Sequence, residues 1–544
     1  MACTEVVTPL LTDLYQLTMA YAYWKSGRHH LFTTFDLFYR QPPFGGSFIV
    51  FAGLQDSIRF IASFRFQPDH IRYISTVIPG CHPAFLTWLQ SLDCTKVRVD
   101  ALREGSIAHP NVPLMKVSGP LAVVQLLETT LLNLVNYASL VATNAHRFRI
   151  AAGPETLLLE FGLRRAQGPN GALTASKYCY LGGFDATSNV AAGFKFGIPV
   201  KGTHAHAYVQ SFHGIEDIVR ITASIHKPDG SHLDFQRFAT RVLEVRRLLG
   251  SEHCTSDGEL ASFIAYAAAY PSSFSALVDT YSTLKSGVPN FMYVALVLSE
   301  HGLSALGVRL DSGDLVALSL RVHELFSSLA SQYGAICKPS TDHHLVMIKR
   351  LSIVVTNDIT VDFLEDIRSR EHRISALGVG THLVTCRETP ALGCVFKLSS
   401  ISGVPRMKFS EEWHKSSVPG DKQVIRVRDA KGNLYDVLML ACERPPVIGE
   451  KCVLKTRSNP SRTVSVVPTV VESLLRPSWD GQIQGDIGDS FQYLKSARDA
   501  LKTESDLIPK YREENVLMSQ KLFAMIDEIW QSQFTGMGPS IQKI

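Results

Sequence analysis

The residues best suited to chemistry stand in short clusters that interrupt apolar stretches of the chain. They are Glu160 to Arg165, Gly182 to Asp185, Val200 to Val209, Val308 to Asp314 and Gly378 to Thr381. Each cluster follows or ends a short apolar run, and we predict these runs to be strands. Because parallel strands present their carboxyl ends at one edge of a sheet, arginines, carboxylates and glycines would converge there. This combination indicates a site for a phosphorylated, anionic substrate.

The histidine pair in VKGTHAHAYV, residues 200–209, allows two kinds of chemistry. If the segment is a strand, period-two alternation places His204 and His206 on one face and Thr203 and Ala205 on the other. Two adjacent imidazoles bind zinc in metal-dependent barrel hydrolases, whereas a neutral histidine with a free ring nitrogen can attack a phosphoryl group. The second interpretation is favoured because the later strand ends offer phosphate, hydroxyl and Mg²⁺ ligands. These ligands are Arg309, Asp311, Asn357, Asp358 and Thr381.

Three further groups would bind anions or hydroxyl groups. Arg164 and Arg165 are adjacent, and a guanidinium group binds carboxylate or phosphate through two hydrogen bonds. Arg309 and Asp311 share one face of a predicted strand end, and the turn after them offers N–H groups and carboxylates for ribose hydroxyls and Mg²⁺. An ordinary capped turn is the alternative there. The GVGT run at 378–381 would let a phosphate approach the backbone closely.

The elements that must position these groups alternate between short β runs and helical segments. The predicted strands are Thr156 to Glu160, Lys177 to Leu181, Val200 to Val209, Ser275 to Val278, Ala305 to Leu310, Ile353 to Thr356, Ser375 to Val379 and Val395 to Leu398. Alternation favours a parallel sheet, and this number of units favours a closed or nearly closed barrel. We divide the chain into an N-terminal α+β domain at 1–150, an α/β barrel with the active site at 151–400, and a small β segment with a helical tail at 401–544.

Composition excludes several classes of protein. The chain has 544 residues, a formal net charge of +4 and ten cysteines without a C-x-x-C pair. This charge is too small for a nucleic-acid surface, so we expect no nucleic-acid partner. The N-terminus lacks a secretory pattern and the apolar runs are too short to span a bilayer, so we expect no membrane association. The cysteine pattern is typical of reduced thiols in an intracellular protein.

Several segments occur in a fixed order along the chain: TDLYQLTMAYAYW, FGGSFIVFAGL, EFGLRRAQGPNG, YLGGFDATSNV, GTHAHAYVQSF, DTYSTLKSGVPNF, GVRLDSGDL, GVGTHLVT and PRMKFSEE. Together they resemble the nicotinate phosphoribosyltransferase family in its long form. The resemblance implies a type II phosphoribosyltransferase fold of the α/β class. This fold is an irregular TIM-like α/β barrel with a discontinuous α+β N-terminal domain, completed by part of the C-terminal tail, and a smaller C-terminal β/α portion.

The resemblance also implies a reaction and its partners. The reaction would transfer a phosphoribosyl group from 5-phosphoribosyl 1-diphosphate to nicotinate, giving nicotinate mononucleotide and diphosphate in NAD salvage. ATP would be a co-substrate whose hydrolysis is coupled to the transfer, and Mg²⁺ or Mn²⁺ the cofactor. We expect a cytoplasmic homodimer with shared active sites.

Carried over position by position, the resemblance implies roles for residues that contact the base. Tyr15 would stack on the base from the partner subunit, and Phe161 would provide the second stacking ring. Arg164 or Arg165 would meet the carboxylate of nicotinate or a substrate phosphate. Thr203 would lie beside the base.

The remaining implied roles concern the phosphates and the sugar. His206 would be phosphorylated by ATP, and Arg309 and Asp311 would hold the base and the ribose, with Asp311 also a Mg²⁺ ligand. The residues implied for the 5-phosphate are Asn357, Gly380 and Thr381, with Lys397 as a further phosphate ligand.

Two other functions stay open at this point. A metal-dependent α/β-barrel hydrolase would use the pair His204 and His206 as zinc ligands. A binding scaffold without turnover would be stabilised by the same substrates. Charge alone leaves nicotinate and nicotinamide as alternatives, because a carboxylate and a neutral carboxamide both fit between two aromatic rings.

Overall fold

The computed structural model describes residues 7–250, 254–339, 342–410, 416–459, 461–485, 487, 490–506, 508 and 513–534. Its helices are α1 (Leu14–Lys25), α2 (Leu54–Ser63), α3 (Pro68–Val77), α4 (Pro83–Gln90), α5 (Leu121–Ala152), α6 (Gly168–Leu181), α7 (Val190–Phe196), α8 (His206–Gln210), α9 (Phe235–Leu248), α10 (Asp257–Ala269), α11 (Val288–Glu300), α12 (Leu315–Cys337), α13 (His343–Ile348), α14 (Val361–Arg368), α15 (Thr381–Val384), α16 (Ser490–Ser505) and α17 (Gln520–Phe534). Its strands are β1 (Phe32–Tyr39), β2 (Ile49–Val50), β3 (Arg98–Ala101), β4 (Ile107–Ala108), β5 (Met115–Pro120), β6 (Leu157–Glu160), β7 (Ala186–Thr187), β8 (Ser224–His226), β9 (His232–Asp234), β10 (Ser275–Leu277), β11 (Gly307–Leu310), β12 (Ser352–Thr356), β13 (Ala376–Val379), β14 (Cys394–Ile401), β15 (Val404–Pro405), β16 (Lys422–Asp429), β17 (Leu434–Leu440), β18 (Cys452–Thr456), β19 (Thr463–Val466), β20 (Pro468–Ser473), β21 (Arg476–Asp480) and β22 (Val516–Met518). A π-helix at Thr283–Gly287 leads directly into α11.

The chain forms two compact units, each made of segments that are distant in sequence. The first unit comprises Met1–His146, Gln167–Gly183 and Cys386–Ile544, and the second comprises Arg147–Ala166 and Phe184–Thr385. The division into domains at 1–150, 151–400 and 401–544 stays a prediction.

The first unit contains two six-stranded sheets. One is antiparallel throughout, in the order β15-β14-β1-β5-β3-β21, so its strands come from both ends of the chain. The other has the order β19-β18-β22-β17-β16-β20 and is antiparallel except between β17 and β22. Its core is formed by alternate residues of its strands, because alternation turns one face of such a sheet inward. The core residues are Ile425, Val427, Val437, Met439, Leu454, Val466 and Leu517.

Helix α5 corrects the expectation that every apolar run is too short to span a bilayer. By length and composition, it is the one helix in the described part of the chain that passes this test. It does so because most of its polar residues are uncharged and lie among apolar ones, so the mean hydropathy stays high without a long unbroken apolar run. In its most apolar window, 61% of the residues are buried inside the protein, which is typical of a core helix.

The second unit is built on a parallel sheet in the order β10-β11-β12-β13-β6-β7. An isolated parallel bridge places Val200 beside Thr187, at the β7 edge. Helices α11, α12 and α14 lie between successive strands along the chain, as parallel pairing requires. The α/β class is confirmed.

Two of the predicted strands are wrong. Lys177 to Leu181 is the last part of helix α6, which has a proline in its first turn. A short buried apolar run has the same composition in a helix as in a strand, so periodicity did not distinguish the two. Val200 to Val209 leaves the sheet after the bridge at Val200, and helix α8 begins at His206.

A third predicted strand exists but belongs to another sheet. Val395 to Leu398 lies within β14, which pairs with β1 in the antiparallel sheet of the first unit. Its residues are therefore not part of the parallel sheet. The prediction of a strand did not show which strand β14 would pair with. Its partner β1 lies more than 350 positions away, and such pairing depends on tertiary packing.

Candidate active site

The carboxyl end of the parallel sheet brings His206 beside residues that follow β10 and β11. The Nδ1 atom of His206 lies 3.0 Å from the hydroxyl of Thr280. Its Nε2 atom lies 4.0 Å from Asp279 Oδ1 and 3.9 Å from Asp311 Oδ2, and the imidazole is 40% exposed. When the Nδ1–H is donated to Thr280, the lone pair of Nε2 is left open to a reacting group.

Different hydrogen bonds hold the two carboxylates. Asp279 Oδ2 accepts from the backbone N–H of Asp311 at 2.8 Å and from the Ser312 hydroxyl at 2.6 Å. Asp311 Oδ1 accepts from the Thr356 hydroxyl. The Asp279 side chain is 2% exposed, and within the described residues its Oδ1 atom has no hydrogen-bond partner. Because an unsatisfied buried oxygen is costly, this atom is available to a donor that arrives with a ligand.

Asp279 and Thr280 are absent from the predicted site. The signal was in the sequence, since Asp279 follows the predicted strand Ser275 to Val278 just as Asp311 follows its own strand. What the sequence lacked was the orientation of Thr280 toward His206, which the fold supplies.

Arg309 ties β11 to the segment that carries the histidines. Its terminal nitrogen atoms donate to the Thr203 hydroxyl at 3.0 Å and to the backbone carbonyl of His204 at 3.1 Å. Burial lowers the pKa of Arg309, the carboxylates of Asp311 and Asp279 raise it, and the charge of Arg164 lowers it again. The charge of Arg164 therefore acts on Arg309.

Arg164 and Arg165 are both exposed in a short 3-10 helix, Leu163–Arg165, that follows β6. The turn before this helix is fixed by Glu160, which is buried. Glu160 accepts hydrogen bonds of 2.5 Å from the Gly162 N–H and from the Thr187 hydroxyl. A buried carboxylate thus sets the direction in which the exposed arginines leave the sheet.

Phe161 lies against strand β13. Its N–H donates to the Val379 carbonyl at 2.8 Å. A Cβ atom on Gly378 would lie 2.6 Å from the Phe161 ring and 2.5 Å from Thr356 Cγ2. Gly378 therefore leaves the space that the ring occupies.

The turns after β12 and β13 carry the predicted phosphate ligands. Asn357 and Asp358 have φ angles of 82° and 47°, in the left-handed region that is costly for residues other than glycine. Strain of this kind is common at ligand sites, where the surrounding structure holds it in place. Gly380 directly precedes Thr381 and α15, and a Cβ atom on Gly380 would lie 3.3 Å from the Phe161 carbonyl oxygen. The turn after β13 is therefore adjacent to the turn that carries Phe161.

His204 contradicts the prediction of two histidines on one strand face. It is buried, its Nε2 atom accepts from the Leu277 N–H at 3.3 Å, and its ring centre lies 4.8 Å from that of Tyr266. Burial lowers the pKa of His204 to about 4, so the ring is neutral near neutral pH. In the described part of the chain, no group of three or more His, Cys, Asp or Glu side chains is placed to hold a metal ion. The alternative of a metal-dependent hydrolase that uses His204 and His206 is not supported.

Tyr15 and Lys397 belong to the first unit, whereas the other predicted site residues belong to the second. Tyr15 lies in α1 and is 47% exposed. Burial lowers the pKa of Lys397, the charge of Glu128 raises it, and Arg40 and Lys408 lower it again.

The fold and the site together define an α/β protein in which arginines, carboxylates and a part-exposed histidine meet at the carboxyl edge of a parallel sheet. Comparison with known proteins gives the family. The family model described as the nicotinate phosphoribosyltransferase (NAPRTase) N-terminal domain matches residues 10–136. Nicotinate phosphoribosyltransferase 1 of Arabidopsis thaliana is 44% identical over 540 residues, covering 97% of this chain and 95% of that protein. The nicotinate phosphoribosyltransferase of Homo sapiens is 42% identical over 537 residues, covering 96% of this chain and 97% of that protein.

A solved structure agrees. The crystal structure of human nicotinic acid phosphoribosyltransferase superimposes with a TM-score of 0.82 at 40% identity, covering 95% of this chain and 99% of that chain. The chain belongs to the nicotinate phosphoribosyltransferase family.

Proposed function

We propose that the protein transfers the phosphoribosyl group of 5-phosphoribosyl 1-diphosphate to nicotinate, giving nicotinate mononucleotide and diphosphate in NAD salvage. ATP hydrolysis is coupled to this transfer. The observation that carries the proposal is the placement of His206 and Arg309 with two carboxylates at one edge of a parallel sheet. The full-length relatives, which bear the name of this activity, support it.

Arg309 and Arg164 select an anionic base. Two guanidinium groups stabilise the carboxylate of nicotinate, whereas a neutral carboxamide gains much less from them. Phe161 provides one stacking face for the pyridine ring, and Thr203, held by Arg309, lies beside the ring. Tyr15 of the partner subunit provides the opposite face.

The phosphates of 5-phosphoribosyl 1-diphosphate bind at the turns after β12 and β13 and at basic side chains. Asn357, Gly380 and Thr381 hold the 5-phosphate, since glycine lets a phosphate approach the backbone and N–H groups and a hydroxyl donate to it. Arg165 and Lys397 are further phosphate ligands. The ribose hydroxyls are held by carboxylates of the same sheet edge.

Mg²⁺ or Mn²⁺ fits the carboxylate of Asp311. One oxygen of Asp311 is held by Thr356, while the other faces the site, and the side chain is 38% exposed. Mg²⁺ is commonly bound by one or two carboxylates together with substrate phosphates. An ion bound there would neutralise the charge that develops on the leaving diphosphate.

The transfer step depends on charge and position. As the bond from the anomeric carbon to diphosphate breaks, positive charge develops on the ribose and negative charge on the leaving group. Fixed donors at the sheet edge stabilise the leaving group. The stacked pyridine is held with its nitrogen directed at the anomeric carbon, so attack needs little further loss of freedom.

His206 accepts the terminal phosphoryl group of ATP. The bond from Nε2 to phosphorus forms as the bond from phosphorus to the bridging oxygen breaks, and ADP leaves with that electron pair. The ring then carries positive charge, which Asp279 and Asp311 stabilise from about 4 Å. Water later cleaves the nitrogen–phosphorus bond, releasing phosphate. Because phosphorylated His206 tightens substrate binding, hydrolysis drives synthesis.

The proposal extends to the fold and the assembly. The parallel sheet closes into an irregular TIM-like barrel, because the segment that follows the β7 edge reaches the strands at the opposite edge. In support, the Leu277 N–H of β10 donates to the His204 side chain, and Arg309 of β11 donates to the His204 carbonyl. The protein acts in the cytoplasm as a homodimer with shared active sites.

Assays with nicotinate and with nicotinamide, each with and without ATP, test the proposal. We expect nicotinate mononucleotide to form from nicotinate, faster with ATP, with nicotinamide a poor substrate under both conditions. Equal rates with the two bases would contradict the role of Arg164 and Arg309. Absence of product from nicotinate at saturating 5-phosphoribosyl 1-diphosphate, Mg²⁺ and ATP would overturn the proposed function.

A further inference from the structure

A buried carboxyl group outside the predicted site lies on helix α10. The side chain of Glu259 is fully buried. Its Oε2 atom accepts hydrogen bonds from the Ser286 hydroxyl at 2.6 Å and from the Asn290 amide at 3.1 Å. Ser286 lies in the π-helix Thr283–Gly287 and Asn290 lies on α11. Glu259 therefore joins α10 to the two elements that follow β10.

These two elements support the segment that carries Asp279 and Thr280. The π-helix begins three residues after Thr280. At its end, Gly287 is packed so tightly on strand β10 that a Cβ atom there would lie 1.9 Å from the Val278 carbonyl oxygen. A change at Glu259 would thus be transmitted to the residues that hold His206. An interruption by a π-helix is frequent next to functional sites.

The protonation of Glu259 is coupled to its surroundings. Burial raises the pKa of Glu259 to about 7, the bonds from Ser286 and Asn290 lower it, and the charge of Asp279 raises it. Within the described residues, Glu259 Oε1 and Asp279 Oδ1 have no hydrogen-bond partner. An ionised Glu259 would place a second buried negative charge near Asp279, which is unfavourable.

Among the charged or titratable groups on α10 and the elements packed against it are Asp257 with Arg246 of α9, Tyr266 of α10, Tyr208 of α8, Lys285 of the π-helix, and His204, whose ring contacts Phe263 and Tyr266. The same elements also carry Arg237, Arg241, Glu244 and Arg247 on α9, Tyr293 and Glu300 on α11, Glu216 and Asp217 in the 3-10 helix Ile215–Asp217, and His226 on β8. Arg246 and Asp257 are paired with one another at 2.6 Å. The Tyr208 hydroxyl donates to the Ser262 carbonyl, and Lys285 is exposed. Asp279 is the charged group that acts on Glu259.

We propose that Glu259 is a positioning residue for the ATP-coupled reaction: a buried carboxyl group that carries a proton and, with Ser286 and Asn290, fixes the segment that presents Asp279 and Thr280 to His206. The proposal rests on the proposed role of His206. Its consequence is that ATP stimulation weakens when Glu259 ionises, because repulsion between the two carboxylates disturbs the hydrogen bonds of that segment.

The test compares the wild-type homodimer with Glu259→Gln, which keeps the shape and hydrogen bonds but cannot ionise. The measurement is the ratio of rates with and without ATP from about pH 6 to about pH 8. We expect this ratio to fall severalfold in the wild type as pH rises through about 7, and to stay within about twofold in Glu259→Gln. The matched control is Glu300→Gln, whose carboxylate binds Arg241 and Tyr333, and it should keep the wild-type profile.

Thermal unfolding at the same pH values separates this inference from the proposed function. The folded pKa of Glu259 lies above its unfolded value, so the stability it contributes is present at low pH and is lost as pH rises through about 7. The stability of the wild type relative to Glu259→Gln should therefore fall over this range, even if no enzyme activity is found. Identical pH profiles of rate and of unfolding in the two proteins would overturn the inference.

If Glu259→Gln does not fold, Ser286→Ala decides the question. Loss of the Ser286 hydroxyl removes a donor that favours the ionised carboxylate, so the pKa of Glu259 should rise and the decline of the ATP-stimulated rate should move to higher pH. A decline at the wild-type pH would contradict the proposal.

Discussion

Neighbours of two kinds lie on opposite sides of the His206 ring. The Thr280 hydroxyl lies 3.0 Å from Nδ1 of His206. The carboxylates of Asp279 and Asp311 lie about 4 Å from Nε2. When the hydroxyl accepts the Nδ1–H, the lone pair of Nε2 is free, and the carboxylates would favour the positive charge that phosphorylation would place on the ring.

Replacing His206 by alanine should abolish ATP stimulation and leave a slow basal reaction. The reason is that the phosphoryl acceptor is lost while the ligands of the base and the sugar stay in place. The measurement is the rate of nicotinate mononucleotide formation with and without ATP. His213→Ala is the control, since His213 is 87% exposed and pairs only with Asp217 among the described residues. A variant at position 206 that keeps its dependence on ATP would refute the role.

Arg309→Ala should weaken nicotinate binding by about 2 kcal/mol, the size of a lost charge-assisted hydrogen bond. The variant also frees Thr203, which Arg309 holds at 3.0 Å. Titration calorimetry with nicotinate measures the change, and Arg321→Ala, at an exposed position of α12, serves as the control. Unaltered affinity for nicotinate would exclude Arg309 from the carboxylate site.

At the scale of elements, the ends of the strands decide where the chemistry lies. β6, β10, β11, β12 and β13 each end in a turn that supplies a group to the site, and parallel pairing brings these ends to one edge. The strand that begins at Ser275 and the turn that follows Leu310 were predictable from short apolar runs followed by polar residues. The strand predictions at Lys177 to Leu181 and at Val200 to Val209 are wrong for one reason. Tertiary contacts, not the local sequence pattern, determine that these segments form helix or coil.

Gly378→Ala tests the contact between β13 and the turn after β6. The added Cβ atom would lie 2.6 Å from the Phe161 ring and 2.5 Å from Thr356 Cγ2, so one of the two must move. We expect a loss of about 1–3 kcal/mol of folding stability, typical of overpacking, with weaker nicotinate binding. Urea unfolding and nicotinate titration measure the two effects. Gly171→Ala, whose Cβ atom would make ordinary contacts of 3.8 Å, is the control.

A variant Gly378→Ala that is as stable as the Gly171→Ala control would contradict the packing argument. If stability falls but nicotinate affinity stays unchanged, Phe161 does not stack on the base. The two measurements therefore test the fold and the proposed role separately.

At the scale of the whole molecule, buried charge ties distant parts of the first unit together. Asp436 on β17 accepts from Arg426 at 2.8 Å and 3.0 Å and contacts His109 Nδ1 at 2.7 Å. Although burial alone would raise it, the charges of Arg426 and His109 hold the pKa of Asp436 well below its usual range. Residues more than 300 positions apart thus depend on one carboxylate.

Asp436→Asn should cost about 3–5 kcal/mol of stability near neutral pH, the usual effect of breaking a buried pair. Because the folded pKa of Asp436 is depressed, its contribution is present above the unfolded value of about 4 and is lost as pH falls below it. The difference between wild type and variant should therefore shrink in acid. Urea unfolding at neutral pH and at about pH 3.5 measures this.

The control for the Asp436 experiment is Asp366→Asn, which breaks an exposed pair with Arg370. We expect it to cost less than about 1 kcal/mol at either pH. A difference for Asp436→Asn that stays constant with pH would show that the carboxylate charge does not stabilise the first unit.

Sharing of active sites in a homodimer can be tested by mixing two variants that each lack ATP-stimulated activity. If Tyr15 serves the site that contains the partner's His206, a mixed dimer of Tyr15→Ala and His206→Ala chains has one intact site. Random assembly would then restore about a quarter of the ATP-stimulated activity. If each subunit forms its own site, the mixture stays as inactive as its components. Each variant alone provides the control.

The sequence by itself determined the class of the fold, the family and the segments that carry anion ligands, because these depend on local composition and on ordered motifs. The tertiary structure alone decided which neighbours each residue meets. The tertiary structure buries the His204 side chain in the core and places Asp279 and Thr280 beside His206. It also pairs β14 with a strand of an antiparallel sheet. The physical reason is that orientation and long-range pairing are set by burial and hydrogen bonds between distant segments, which no local pattern contains.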